Sequence, residues 1–292
     1  MELPSHFQKF LSNVEPTNNQ KAEASTGHAA LRSRLEKDDE YKTYFQDSFL
    51  SGSYGRDTAV RPIRDVDIII VGDYPEICWK PELALFHLRR ILSKYYDNLT
   101  TQNRSIHVAL SYVEMDIVPA IKAKDDFLKI PDRALQNWVI SNPRKHIELS
   151  TAINTSRNGW YKPLVKALKC WQDNRMDDSW KPKSFLLECL VYDYATNSPI
   201  DSIPKAMEGF FWFIHNKYKA HREANRFSPV IFDIGGTGND VAKKWTYQAF
   251  SNFMDEVYHS WSLSYQALAS QNEAESIDKW RQLLGDAFPV DT

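Results

Sequence analysis

The chain has 292 residues, room for one two-lobed enzyme or two modest domains, and 42% of them are hydrophobic with no low-complexity tract, so it folds throughout. A formal net charge of −2 speaks against a broad nucleic-acid-binding face, which announces itself as a strong basic excess. Three scattered cysteines, Cys78, Cys170 and Cys189, exclude a disulfide framework and a zinc site and fit a reducing compartment.

The N-terminus, Met1-Glu2-Leu3-Pro4-Ser5-His6-Phe7, has no basic region leading into an apolar run, and no stretch approaches a membrane span, so a cytoplasmic location without membrane contact is expected. Helical periodicity covers Pro4 to Asn13 and Asn18 to Lys37, and Tyr44 to Leu50 reads as a strand. After it, Gly52 lets the backbone turn tightly and approach a ligand without a Cβ in the way. Ser53 then offers a hydroxyl and an N–H at the start of a short helix, where unpaired donors favour an anion such as a triphosphate. Arg56 lies in the same turn and helix, within reach of a phosphate.

The next strand, Val66 to Val71, carries Asp65 and Asp67 two residues apart, which sends both carboxylates to one face. Two carboxylates side by side repel, and a divalent cation relieves that repulsion while keeping positions open to substrate phosphates. A helix is expected from about Trp79 to Tyr96, then strands at Ser105 to Leu110 and Val113 to Val118. Alternation in the last of these puts Glu114 and Asp116 on one face, and Asp116, nearer the strand end, is the expected third ligand; Glu114 reads as a rim or outer charge. Asp65, Asp67 and Asp116 are therefore the expected catalytic and metal-binding set. With them, two Mg2+ (or Mn2+) ions can clamp an in-line phosphoryl displacement, one activating the attacking hydroxyl and one neutralising the leaving pyrophosphate.

This first part, residues 1–130, reads as a mixed α+β catalytic lobe with N-terminal helices. Residues 131–292 read as a helical lobe, with helices near Lys145 to Thr155, Lys162 to Asp173, Ser184 to Ala195, Ile203 to Lys219, Val241 to Gln271 and Ser276 to Leu284. Its frequent aromatics, including Trp171, Trp212 and Trp261, are expected in the core, because large aromatics at helical spacing pack. Lys166, Lys169 and Lys183 form a charge set suited to a triphosphate, Lys169 foremost, with a solvated helix face as the other reading. The basic run of Lys217, Lys219, Arg222 and Arg226 reads as a solvated helix side.

Gly52-Ser53, then Asp65-x-Asp67, then Asp116 resembles the DNA-polymerase-β-type nucleotidyltransferase superfamily, which implies a two-lobed fold with a mixed sheet and a helical C-terminal lobe. Three later blocks, Pro163 to Trp171, Pro182 to Glu188 and Pro229 to Asn239, resemble the 2′-5′-oligoadenylate synthases and the bacterial cGAS/DncV-like nucleotidyltransferases. The resemblance implies that Lys169 contacts the donor triphosphate, that Ser184 lies near the same phosphates, and that Phe185 stacks on a nucleobase, with simple helix core as the other reading for Phe185. In the last block Ile234 stands where those synthases have proline after the aspartate, while Gly235, Gly236 and Gly238 keep the flexible character, and the block reads either as a wall of the nucleotide cleft or as a helix cap. Asp240 with Val241 to Trp245 is expected to open the last long helix.

The implied activity is template-independent joining of NTPs into a cyclic oligonucleotide second messenger with release of pyrophosphate, serving anti-phage signalling through an effector that reads the product. A regulatory partner protein and a monomeric enzyme fit this reading, and direct nucleic-acid binding does not. A linear 2′-5′-oligoadenylate-type product and transfer to tRNA or a small-molecule acceptor are the competing readings, and a non-catalytic scaffold of the same fold ranks last because Asp65, Asp67 and Asp116 are all present.

Overall fold

The seven residues Val66–Gly72 are almost all apolar and buried on both faces, which makes this strand, β2, a central one. In the computed structural model, which describes residues 1–62, 65–74 and 80–292, the chain divides into two compact units, Pro16–Ile147 and Met1–Glu15 with Glu148–Thr292. The expected division at 130/131 is displaced at both ends. Helix α1 (Pro4–Val14) buries His6, Phe7, Phe10 and Val14 with the C-terminal helices, Phe7 lying 4.9 Å from Trp280 and 5.0 Å from Phe288 between ring centroids. The strands that follow residue 127 stay with the sheet.

In the first unit, Thr17 and Gln20 form a reciprocal capping box on helix α2 (Asn18–Lys37). Strand β1 (Phe45–Leu50) leads into the single turn α3 (Gly52–Gly55) and then β2. Helix α4 (Pro81–Leu92) starts at a proline in its first turn and buries Ala84, Leu85, Leu88, Ile91 and Leu92, one apolar stripe at helical spacing. The expected start at Trp79 lies outside the described residues. Strands β3 (Leu99–Thr101), β4 (Ile106–Ala109), β5 (Glu114–Lys122), β6 (Leu128–Asp132) and β7 (Asn137–Ser141) complete a seven-stranded mixed sheet, ordered β1-β2-β5-β4-β3, with the β6–β7 hairpin on the far end of β5. Among the described residues only β2 with β5 is a parallel pair. Alternation along β2 sends Val66, Ile68 and Ile70 to the layer containing Leu85 and Leu88, and Ile69 and Val71 to a second apolar cluster with Val118, Ala120 and Leu128.

Neither β3 nor the β6–β7 hairpin announces itself locally, since each is short and β6 contains Pro131. Their order comes from pairing, as in Ile121 opposite Lys129 and Ile130 opposite Val139.

The second unit gathers α1 with α5 (Pro143–Ser156, from residue 148 on), α6 (Tyr161–Arg175), α7 (Ser184–Asn197), α8 (Ile203–Ala224), α9 (Tyr247–Ala269) and α10 (Glu273–Leu284). Trp171 is fully buried, 4.8 Å from the Phe211 ring, and its indole N–H donates to Ser260 Oγ at 2.7 Å. Trp212 departs from expectation. It is 45% exposed and lies 4.7 Å from the half-buried Trp261, because it faces outward from α8 onto another aromatic. The last long helix also starts later than expected. Asp240 accepts from the N–H groups of Ile231 and Ala242 and holds Val241 onward in turns, and Thr246 caps α9 by accepting from Ala249 N. Among the described residues no helix is long and apolar enough to cross a membrane.

Candidate active site

Strand β1 ends beside β2, where Ser51 N donates to the carbonyl of Asp67 at 2.8 Å. The chain then turns at Gly52 with φ +58°, and a Cβ at this position would stand 1.7 Å from Asp67 Oδ2. Only glycine satisfies both demands, a left-handed backbone and a carboxylate pressed against it. Gly55 is equally confined, since a Cβ there would lie 2.6 Å from the Leu50 carbonyl. The buried Thr58 closes the loop, its N–H donating to the Ser53 carbonyl at 2.8 Å. Helix α3 is a single turn, so what it presents to an anion is N–H groups outside the helical ladder rather than a summed dipole. Ser53 is half-buried within it.

Parallel pairing sets Asp67 directly opposite Asp116. Asp116 is buried and Asp67 half-buried, while Asp65 is exposed and precedes the first paired residue of β2 rather than sharing the strand as expected. All three carboxylates nevertheless feel one another. Burial pushes Asp67 up to about 7, the charges of Asp65 and Asp116 add to the rise, and the guanidinium of the buried Arg56 opposes it. Asp116 is also raised, first by burial; a hydrogen bond from His107 opposes the rise, and Asp65 adds to it.

Such mutual repulsion is the donor chemistry that a divalent cation relieves, and carboxylate oxygens are the ligands magnesium prefers. As the side chains stand, no group of three or more His, Cys, Asp or Glu among the described residues is close-set enough to hold a metal ion. The three carboxylates thus fit such a cation in donor type and electrostatic coupling.

His107 was not singled out by the sequence reading. It lies opposite Asp116 on the antiparallel strand β4, with Nδ1 3.0 Å from Asp116 Oδ1, and its Nε2 is 3.9 Å from Glu114. A tight turn at Ser111-Tyr112 between the two expected strands would have predicted that register, and Leu110 N donating to the Val113 carbonyl closes it. Glu114 is exposed at the edge of the group, in keeping with a rim charge.

The remaining expected residues gather in the second unit. Lys169 on α6 is buried, with Nζ 2.7 Å from Oε1 of the equally buried Glu188 on α7. Lys166 is also buried and pairs with Glu15 at 2.6 Å, whereas Lys183 is exposed just before α7. Ser184 is the first residue of α7 and exposed there, where a helix leaves N–H groups outside its ladder. Phe185 is half-buried and packs on the helical core, leaving part of its ring accessible.

Asp233 makes the turn for which proline is absent. Its buried carboxylate accepts from Gly235 N at 2.8 Å and from Thr237 Oγ1 at 2.7 Å, while Gly236 and Gly238 take φ of +76° and +73°. The loop closes with Phe232 opposite Asp240, and the cap of the following helix α9 falls to Thr246 instead. Cys189 is buried and Cys170 half-buried, with burial pushing the Cys170 thiol up to about 12; Cys78 lies outside the described residues.

Comparison with known proteins matches residues 1–154 to the Second Messenger Oligonucleotide or Dinucleotide Synthetase domain and residues 149–262 to the cGAS/DncV-like nucleotidyltransferase C-terminal helical domain. The cyclic AMP-AMP-AMP synthase of an Acinetobacter species is 33% identical, covering 99% of this chain and 86% of its own. The cyclic AMP-AMP-GMP synthase of Enterobacter hormaechei is 28% identical, covering 99% and 93%. Among solved structures, E. coli MS115-1 CdnC in complex with HORMA-deltaN superposes with a TM-score of 0.84 at 17% identity, covering 98% of each chain. GTP-bound Vibrio cholerae DncV follows with a TM-score of 0.65 at 13% identity, covering 98% of this chain and 86% of DncV. These likenesses bear out the expected fold, a polymerase-β-like mixed sheet followed by a helical C-terminal lobe.

Proposed function

The chain belongs to the cGAS/DncV-like nucleotidyltransferases, the second messenger oligonucleotide or dinucleotide synthetases, and from that premise we propose that it condenses NTPs, ATP first among them, into a cyclic oligonucleotide. The observation that carries this reading is the parallel register of Asp67 with Asp116 directly behind the Gly52 turn.

Asp65, Asp67 and Asp116 would hold Mg2+ or Mn2+, two ions in the fullest form. A bound ion supplies charge neutralisation at the hydroxyl that attacks and at the pyrophosphate that leaves. The chain's own residues do the positioning, which is most of the work in phosphoryl transfer. The α3 turn, with Gly52 and Ser53, would cradle the donor triphosphate through backbone N–H groups, and Arg56 adds a cation beside Asp67. Within the helical unit Lys169 and Ser184 would bind phosphate, with Glu188 holding the lysine in place, and Phe185 would stack on a base. In each round the acceptor hydroxyl oxygen bonds to the α-phosphorus as the bond to the bridging oxygen of the β-phosphate breaks. A further round on the product's own 5′ triphosphate closes the ring.

Two relatives named for tri-adenylate and di-adenylate-guanylate rings favour a cyclic trinucleotide rich in adenine. The wider reading is a cytoplasmic enzyme whose product signals to an effector in anti-phage defence, under a regulatory protein such as the HORMA-deltaN found with E. coli CdnC.

The test is incubation of purified protein with each labelled NTP, singly and mixed, in Mg2+ and in Mn2+, followed by phosphatase and mass spectrometry, with Asp65→Ala plus Asp67→Ala as control. A phosphatase-resistant product absent from the control is expected. A phosphatase-sensitive product would show linear chemistry instead. Product that forms only with an added tRNA or small-molecule acceptor would overturn the reading.

A further inference from the structure

Asp116 is the most buried of the three acidic residues, and the ring of His107 stands against it. An ionised carboxylate only accepts, so Nδ1 of His107 carries the proton and donates across 3.0 Å to Oδ1. On either side of His107, Ile106 and Val108 are fully buried, which anchors the backbone from which the ring projects. The far nitrogen, Nε2, faces the exposed carboxylate of Glu114 at 3.9 Å, so the imidazole is set between two carboxylates of one strand face.

We propose that His107 is a positioning residue for the metal-binding carboxylates: by engaging one oxygen of Asp116 it fixes the side-chain rotamer and presents the other oxygen toward Asp65 and Asp67. The inference rests on the reading of these three residues as cation ligands and names the neighbour that prepares them. Ligating groups held by outer hydrogen bonds lose less freedom on binding, and removing such a partner typically weakens metal affinity 10- to 100-fold. Nothing in the bond to Asp116 demands an imidazole as such. Any side chain of similar reach with an N–H donor serves.

The experiment reads metal directly, without turnover. Wild type, His107→Gln, His107→Phe and Asp116→Asn are titrated with Mn2+ in the absence of nucleotide and followed by electron paramagnetic resonance, with melting points in EDTA recorded alongside; His107→Leu replaces the phenylalanine variant if that does not fold. The expected result is Mn2+ binding weakened about 10- to 100-fold in His107→Phe and largely kept in His107→Gln. The Mg2+ needed for half-maximal synthesis should rise in step, while activity at saturating Mg2+ recovers. Equal Mn2+ affinity in His107→Phe and wild type would overturn the proposal, and so would an equal loss in the glutamine and phenylalanine variants. Wild type and Asp116→Asn binding Mn2+ alike, or neither binding it, would remove the carboxylate site itself, a failure distinct from the first.

Discussion

Replacing Asp67 with asparagine should stabilise the metal-free protein while ending its activity. Asp67 rises from the ordinary aspartate value of 3.8 to about 7, a span of about three units, and each unit corresponds to about 1.4 kcal/mol. The upper bound is therefore about 4 kcal/mol of destabilisation once the group is ionised, and water reaching this half-buried side chain lowers the realised figure to about 2–3 kcal/mol. The sign follows from proton uptake. Between pH 3.8 and about 7 the folded protein holds a proton at Asp67 that the unfolded chain has released, so stability is full below this window and falls as pH rises through it. An asparagine in its place has no such proton to lose. By thermal unfolding in EDTA, wild type and Asp67→Asn should coincide near pH 4 and separate on the way to pH 7.5, where the variant melts higher by about 2 °C for each kcal/mol, roughly 4–6 °C. Millimolar Mg2+ should then raise the wild type and leave the variant unmoved. A variant that melts no higher than wild type in EDTA at pH 7.5, or a difference that does not change with pH, would refute the electrostatic account of this site.

Gly52→Ala must push a Cβ away from Asp67 Oδ2, 1.7 Å off, at φ +58°; a displacement of about 1 Å at the phosphate turn should cut synthesis about 100-fold, read as product by mass spectrometry against folded protein by circular dichroism. Lys169→Met leaves Glu188 buried without its 2.7 Å partner and should cost about 3–5 kcal/mol; adding Glu188→Met should recover much of that in denaturant melts without restoring activity. In the core, Leu88→Ala empties a fully buried position beneath the sheet and should cost about 2–5 kcal/mol, whereas Phe232→Ser, at a residue 65% exposed, should shift the melt by less than about 0.5 kcal/mol.

The sites the sequence disclosed were those whose chemistry is local. Gly52 and Ser53 follow a strand, and the two-residue spacing of Asp65 and Asp67 is visible in the string itself. Helix α2 carries its start as the Thr17/Gln20 capping box and α7 follows directly on Pro182-Lys183, so their expected starts at Asn18 and Ser184 agree with the structure. Asp65 shows the limit of such reasoning. Spacing alone put it on the strand, but pairing begins only at Val66 and leaves it exposed.

What the tertiary structure alone decided was partnership. Parallel or antiparallel pairing, and its register, depend on contacts between segments far apart in the chain; hence the sequence offered Asp67 and Asp116 as candidates, while only the sheet set them opposite each other and His107 opposite Asp116. The same holds for the lysine that the sequence offered to a phosphate and the fold buries against Glu188, and for Trp212, whose helical spacing matched a core position yet whose face turns outward. Periodicity says which residues share a face; it does not say what that face meets. A carboxylate's ordinary chemistry is written in its type, but the shift of Asp67 arises from burial and from neighbours that folding brings to it.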